Sequence, residues 1–499
     1  MSKMTHVQRV SGYYNLGVEQ GGLDFVDVDV LGDVPVYIDP TAIRVQSGDW
    51  VEACAHSLYT FFDALLGAIR ADDLTKIKQL IYPLSEPNET HLGVSKGRSR
   101  GRSLGSRKKA DELVGALRRS RAIKSGLIED LEDTVLFVDG IGKDILSDIT
   151  TCVIRAHLIE YTVNQSRFHG IPLQTQHSGR YWDSERREWA DGYVDLPRGP
   201  EGLLILVPKA IVRLHPTYEK GHFYRGFLRP YFEETELNKG VASEFVKLVR
   251  AGKKNARLKI VKGRLDEKLG TTKAEVAKNA ERFPQAMQEY RDEKSAEAQV
   301  PLSLESLAAR TGTPQPSLRE LYDEIRAIQP GRAGATAYHR AVAAFLTALF
   351  TGSLGNQRLE VELHGLKRID ITYDNVAGDG LFRWFGLHRA AASIPVECKN
   401  YFGDPANPEL DQIAMRLSPV RGEIGFLVCR PPNNKQRLLD RCRTAATDNH
   451  GFVILLDDDD LHELLQEHEA EEFAPAEERR KYALIRSRFD FLVGVTPAS

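Results

Sequence analysis

The sequence predicts an α/β protein of several domains. It places an N-terminal α/β region over residues 1–235, a helical middle over 236–330, and over 337–499 a unit in which helices flank a mixed sheet. Three observations carry this. The chain has 499 residues, too many for one ordinary core. Apolar spacing changes along it, from short alternating runs to helical stripes and back to both. A Pro/Gly break, Gln329–Thr336, sets the last unit apart from the middle.

Composition excludes several classes. With 42% hydrophobic and 27% charged residues, the chain reads as soluble and globular. No stretch reaches the roughly 18 consecutive apolar residues of a membrane span. The start, MSKMTHVQRVSGYYN, lacks the apolar core of a secretory signal. Cys54, Cys152, Cys398, Cys429 and Cys442 form neither a disulfide framework nor a metal-ligand spacing, so a reduced cytoplasm and no membrane partner are expected. The formal net charge of −3 is not that of a simple nucleic-acid binder. Basic residues cluster nonetheless. Lys96, Arg98, Arg100, Arg102, Arg107, Lys108 and Lys109 fall in one acid-free run, and Lys247–Lys268 is a second basic stretch. Such local patches suit a protein that grips DNA in one cleft.

In the first region, FVDVDV (Phe25–Val30) alternates like a half-buried strand, and Val34–Asp39 follows as its hairpin partner. Thr134–Gly140 reads as a strand leading through Gly142 into a helix, and 202–208 as another buried strand. The middle is Lys/Glu/Ala-rich with helical spacing, TKAEVAKNAERFPQAMQEYRDEK being its clearest stripe. Residues 303–325 carry the spacing of a helix-turn-helix or a plain helical hairpin.

The last unit has the clearest pattern. Val342, Phe345, Leu346, Leu349 and Phe350 form one helical face. RLEVELHG, KRIDITYDN and IPVECKNYF then read as strands, followed by helix ELDQIAMRLS, strand EIGFLVC, helix LLDRCRTAATDN and strand GFVILLD. Side chains two apart in a strand share a face. Ile371 and Tyr373 therefore point one way and Asp370 the other, while Glu397 and Lys399 share a face opposite Val396 and Cys398. If the strands are neighbours, Asp370, Glu397 and Lys399 converge. Two carboxylates are hard-oxygen ligands for Mg²⁺, and a lysine beside the ion can position water and stabilise charge on a phosphate.

Asp370 followed by Glu397-Cys398-Lys399 resembles the PD-(D/E)XK nuclease superfamily, over about residues 337–465 and including the order of elements. The resemblance implies a restriction-endonuclease-like mixed sheet flanked by helices and a Mg²⁺-dependent deoxyribonuclease, with Mn²⁺ as a substitute ion. It makes Asp370 and Glu397 metal ligands and gives water activation to Lys399. Gln412, on the following helix, joins the catalytic set. DNA is then the substrate, and double-strand cutting by one site per chain favours a homodimer. Bacterial restriction and anti-phage defence are the expected setting, with a partner protein from such a system. The chain departs from the pattern in having Ile369 where proline is common and no glutamate on the leading helix. Glu360 and Glu362, on the preceding strand, are the candidate additional ligands. The alternative is a DNA- or partner-binding subunit that keeps the nuclease fold without cutting.

Weaker signals have plainer readings. The Gly97–Lys109 run is a phosphate clamp or a solvated loop. Gly140-Ile141-Gly142 could hold a phosphate at a helix start, although the Walker motif with its lysine is absent. Asp27 and Asp29 fit an exposed hairpin edge better than a metal site. Asp457–Asp460 fits an acidic helix N-terminus.

Overall fold

The computed structural model describes residues 8–93, 106–215, 217–249, 257–313, 317–363, 367–401, 403, 405, 407–419, 422–448, 450–473 and 481–495, and leaves the side chains of 360–363, 367–370, 407–409, 412 and 471–473 outside the description. Its apolar side chains collect into two cores. The first takes residues from Val10 to Leu307, and the second takes Phe168 together with Leu318 to Leu492.

The first core is built on helices. Helix α1 (Asp49–Arg70) buries Val51, Cys54, Leu58, Phe61 and Leu65, a stripe of three- and four-residue steps. Helix α2 (Arg107–Arg119) is capped by Ser106, whose hydroxyl accepts from the Lys109 amide at 3.4 Å. Helices α3 (Lys143–Val153) and α4 (Arg155–His169) fall where the apolar pattern predicts them.

The strands of this region differ from the sequence reading. Phe25–Val30 makes isolated bridges, Phe25 with Pro208 and Asp29 with Arg9, and forms no hairpin with the next segment. Only Tyr37–Ile38 of that segment is a strand, and it pairs with Val212–Arg213. Thr134–Phe137 is a helical turn, since a short buried apolar run has no period that separates strand from helix. Of 202–208, only Gly202–Leu203 is a strand. Asp27 is buried and accepts from the Ser11 amide at 2.9 Å and hydroxyl at 2.6 Å, so it does not lie on an exposed edge.

The middle contains a ribbon, Val246–Val249 with Arg257–Ile260, and helix α5 (Pro284–Ala298). Helix α6 (Leu304–Thr311) ends at Gly312 in the left-handed conformation, and helix α7 (Leu318–Ala327) follows. Leu307 of α6 packs into the first core, whereas Leu318, Leu321, Tyr322 and Ile325 of α7 pack into the second. The apolar faces of this pair are thus divided between the two cores.

The C-terminal unit follows the predicted order except for one inserted helix, Gly380–His388. Helix α8 (Ala335–Leu349) leads into β1 (Leu354–Leu363), β2 (Lys367–Asn375), helix α9 (Gly380–His388) and β3 (Ser393–Lys399). Next come α10 (Asn407–Ala414), β4 (Ile424–Cys429), α11 (Lys435–Thr447) and β5 (Phe452–Asp457). Helices α12 (Asp458–Phe473) and α13 (Ala483–Leu492) close the unit. The sheet order is β1-β2-β3-β4-β5, antiparallel from β1 to β3 and parallel from β3 to β5. Tyr373 points towards α8, where its hydroxyl meets Thr347 Oγ1 at 3.0 Å. On the other face, Ile413 and Leu417 lie against Gly425, where a methyl group would crowd both.

Edge strand β1 is sealed by the first core. The Asn164 side chain of α4 donates to the Leu359 carbonyl at 2.7 Å and accepts from its amide at 2.9 Å, completing a ladder step as a neighbouring strand would. Two residues along, the Gln357 carbonyl accepts from Gln165 at 2.8 Å and its amide donates to the Asp24 carboxylate at 2.8 Å. Among the described residues no helix is long and apolar enough to cross a membrane.

Candidate functional site

The sequence-predicted residues sit where β3 changes from antiparallel to parallel neighbours. Ile371 pairs with Val396, leaving Asp370 and Glu397 as the next positions on the two strands. Leu359 pairs with Ile371 and Val361 with Ile369, which puts Glu360 level with Asp370 on the far side. Positions 360, 370 and 397 therefore form one row across β1, β2 and β3. Glu362 pairs with Arg368. The side chains of Glu360, Glu362, Asp370 and Gln412 lie outside the described residues.

Glu397 and Lys399 are described in full, and they meet. Lys399 Nζ donates to Glu397 Oε1 at 2.7 Å, with the lysine one-fifth exposed and the glutamate buried. Alternation along β3 puts both on one face and sends Val396 to the other, as expected. The other glutamate oxygen, Oε2, accepts from Arg416 Nη1. Arg416 follows α10 and is buried, and its Nε and Nη2 have no hydrogen-bond partner among the described residues.

Sequence reasoning did not find Arg416. It lies four residues after Gln412, which on a helix sets both on one stripe. In the sequence that stripe looks like a solvated face. The structure folds the arginine beneath the helix end and against the sheet.

A second carboxyl on the same side of β2 is fully enclosed. Asp374 lies 3.0 Å from Arg358 and accepts from Ser393 at 3.3 Å, with its carboxyl against Gly48 at the start of α1. Burial outweighs Arg358 and pushes its pKa up to about 7.

Other predicted groups lie apart from this row. Lys96, Arg98, Arg100 and Arg102 fall outside the described residues. Arg107 and Lys108 are exposed at the start of α2, and Lys109 is half-buried. Arg107 stacks on the Tyr82 ring at 4.2 Å. The acidic run opens α12 as a helix start. The Asp460 carboxylate accepts from the Asp457 amide at 3.0 Å, and Lys435 and Arg488 pair with it at 2.9 and 2.7 Å. Among the described residues no group of three or more His, Cys, Asp or Glu is placed to hold a metal. The carboxylates of positions 360 and 370 are not among those residues.

These observations define a helix-flanked, five-stranded mixed sheet with a carboxylate–lysine pair at its antiparallel-to-parallel switch. The N-terminal region, residues 15–219, matches a family described as "Domain of unknown function (DUF8370)". That match ends before the sheet begins, and it includes α4 and Asp24, which seal the sheet edge. No curated protein and no solved structure matches the chain.

Proposed function

We propose that the C-terminal unit is a metal-dependent nuclease of the PD-(D/E)XK type that hydrolyses DNA phosphodiester bonds. The observation that carries this reading is the row of acidic positions Glu360, Asp370 and Glu397 beside Lys399. In this reading Asp370 and Glu397 would hold Mg²⁺, with Glu360 or Glu362 as a further ligand, and a bound ion would neutralise phosphate charge and lower the pKa of its water. The donor set is hard carboxylate oxygen, which fits Mg²⁺ or Mn²⁺.

The chain's own groups have separate tasks. Lys399 hydrogen-bonds the attacking water and stabilises negative charge on the phosphate. Arg416 fixes the orientation of Glu397 as a positioning residue. Gln412 completes the polar set on α10. The N-terminal region restrains the nuclease or recognises its target, as a bacterial defence or restriction protein requires.

One observation favours a second reading, a binding subunit that does not cut. Both oxygens of Glu397 are already held by cations, Lys399 and Arg416. A carboxylate offers about four lone-pair positions, so two ion pairs leave room for a metal.

The test is incubation of the purified chain with plasmid and linear DNA in Mg²⁺ or Mn²⁺, beside Lys399→Ala and an EDTA control. Cutting by wild type alone, abolished by the variant and by chelation, supports the nuclease. Titration calorimetry on a non-cutting wild type separates the remainder. Metal bound by wild type and not by Asp370→Ala indicates a restrained enzyme, and no binding by either indicates the binding subunit.

A further inference from the structure

A cavity of about 550 Å³ lies in the first core's half of the molecule, apart from the acidic row. Its size falls in the range that encloses small ligands. Four cations line it, Lys143, Lys220, Arg225 and Lys273, against two carboxylates, Glu219 and Asp266. Both acids are already engaged. Asp266 accepts from the Tyr224 hydroxyl at 2.7 Å and pairs with Arg229 at 3.2 Å, and Glu219 accepts from the Gly221 amide at 3.1 Å. The unneutralised charge in the cavity is positive.

The backbone adds to it. Gly142 begins α3 with no side-chain cap, so first-turn amides of an eleven-residue helix open at the cavity wall. A methyl group on Gly142 would meet nothing within 4 Å, which leaves the approach clear. Lys273 holds this loop in place, donating to the carbonyls of Val138 at 2.8 Å and Ile141 at 2.6 Å. Gly140, at φ +84°, supplies the turn that brings the loop round. A π-helical segment, Phe223–Leu228, also contributes to the wall and carries Arg225; such wide turns are rare and recur at functional sites.

Lys273 is held partly out of water. Burial, with Lys220 as a further cause, lowers the Lys273 pKa to about 8, although nearby Asp139 opposes the shift. Asp144, in the first turn of α3, is the remaining acid at the loop.

We propose that this cavity binds the phosphate chain of a small phosphorylated molecule, such as a nucleoside di- or triphosphate. The helix start and the Lys143–Lys220–Arg225–Lys273 ring take the charged oxygens. The acidic row across the sheet plays no part, so this proposal stands whether or not the sheet cuts DNA.

The experiment is titration calorimetry of the full chain in phosphate-free buffer without divalent ions, using inorganic pyrophosphate, ATP and a short single-stranded DNA as probes. Lys220→Ala/Arg225→Ala is compared with wild type, with thermal melting as the check on folding. The single Arg225→Ala, at an exposed position, serves if the double variant melts early. Binding of pyrophosphate or ATP that weakens about tenfold or more in the variant is the expected result, roughly 1.4 kcal/mol of lost charge-assisted contact. Tighter binding of ATP identifies a nucleotide, and equal binding identifies recognition of the phosphate chain alone. The proposal is overturned by heat from neither small probe, by binding the variant leaves unchanged, or by heat from the DNA alone.

Discussion

Arg291 and Arg416 are both buried against carboxylates, one in each half of the molecule, and among the described residues they are satisfied to different degrees. Arg291 of α5 uses its whole guanidinium. Nε and Nη2 reach Asp133 at 3.4 and 2.6 Å, Nη2 also donates to the Leu127 carbonyl at 3.0 Å, and Nη1 meets Glu129 at 2.8 Å. Arg416 uses one nitrogen, on Glu397, and leaves two buried donors without partners among the described residues. A buried charge network with every donor placed ties helices together and needs nothing more. One left open carries a standing cost of about 1–3 kcal/mol per unmet donor, and such costs collect where a site awaits a ligand or substrate. The contrast agrees with the proposed site on the face of β3 and gives the Asp133 cluster the part of a staple.

The largest expected effect separates the two on activity. Lys399→Ala should lower DNA cleavage by about 100-fold or more, the scale of losing a group that stabilises transition-state charge. Its thermal melting should stay close to wild type, because the lysine is partly exposed and Glu397 keeps Arg416. Arg291→Met should reverse that pattern in a nuclease assay and melt run side by side. Cleavage unaffected by Lys399→Ala would remove β3 from the chemistry and end the comparison.

Stability should then rank the arginines. Arg291→Met leaves Asp133, fully enclosed, without its partner, and denaturant melts should show a loss of about 3–5 kcal/mol. Arg416→Met leaves Glu397 still held by Lys399 and removes two donors without partners among the described residues. Its loss should be smaller, about 1–3 kcal/mol. The opposite ranking would make Arg416 the staple and break the distinction drawn from their partners.

What could be read in the sequence follows the same division. The sheet unit was legible because each strand and helix carries its own period: Ile371 and Tyr373 on one face of β2, Val342 to Phe350 along α8. Helix α9 was not foreseen, although Phe382 and Phe385 are buried at a three-residue step. In the N-terminal half, Phe25–Val30 alternates as a strand would. Yet Asp27 is buried by Ser11 and Gln20, and the bridging partners are the distant Arg9 and Pro208. No local pattern encodes such partners. At the candidate site, Glu397 and Lys399 follow from alternation along one strand. Arg416 does not, because only tertiary packing turns a polar helix stripe inward.

The smallest expected effect is a pH dependence shared by both halves. Burial pushes Asp374, beside the sheet, and Glu132, in the N-terminal half, each up to about 7 from ordinary values of 3.8 and 4.5. For Asp374 the folded chain holds a proton that the unfolded chain has released, across the window between 3.8 and about 7. Its contribution is therefore complete below 3.8 and is lost as pH rises through about 7. Relaxation around Arg358 reduces it to the order of 1 kcal/mol. Asp374→Asn should flatten the stability profile between pH 4 and 7, and Glu132→Gln should do the same from about 4.5 upward. A profile flattened by the second substitution alone would mean that Asp374 stays ionised beside Arg358. Asp374 would then be charged at neutral pH despite its burial, and pH sensitivity would belong to the N-terminal half alone.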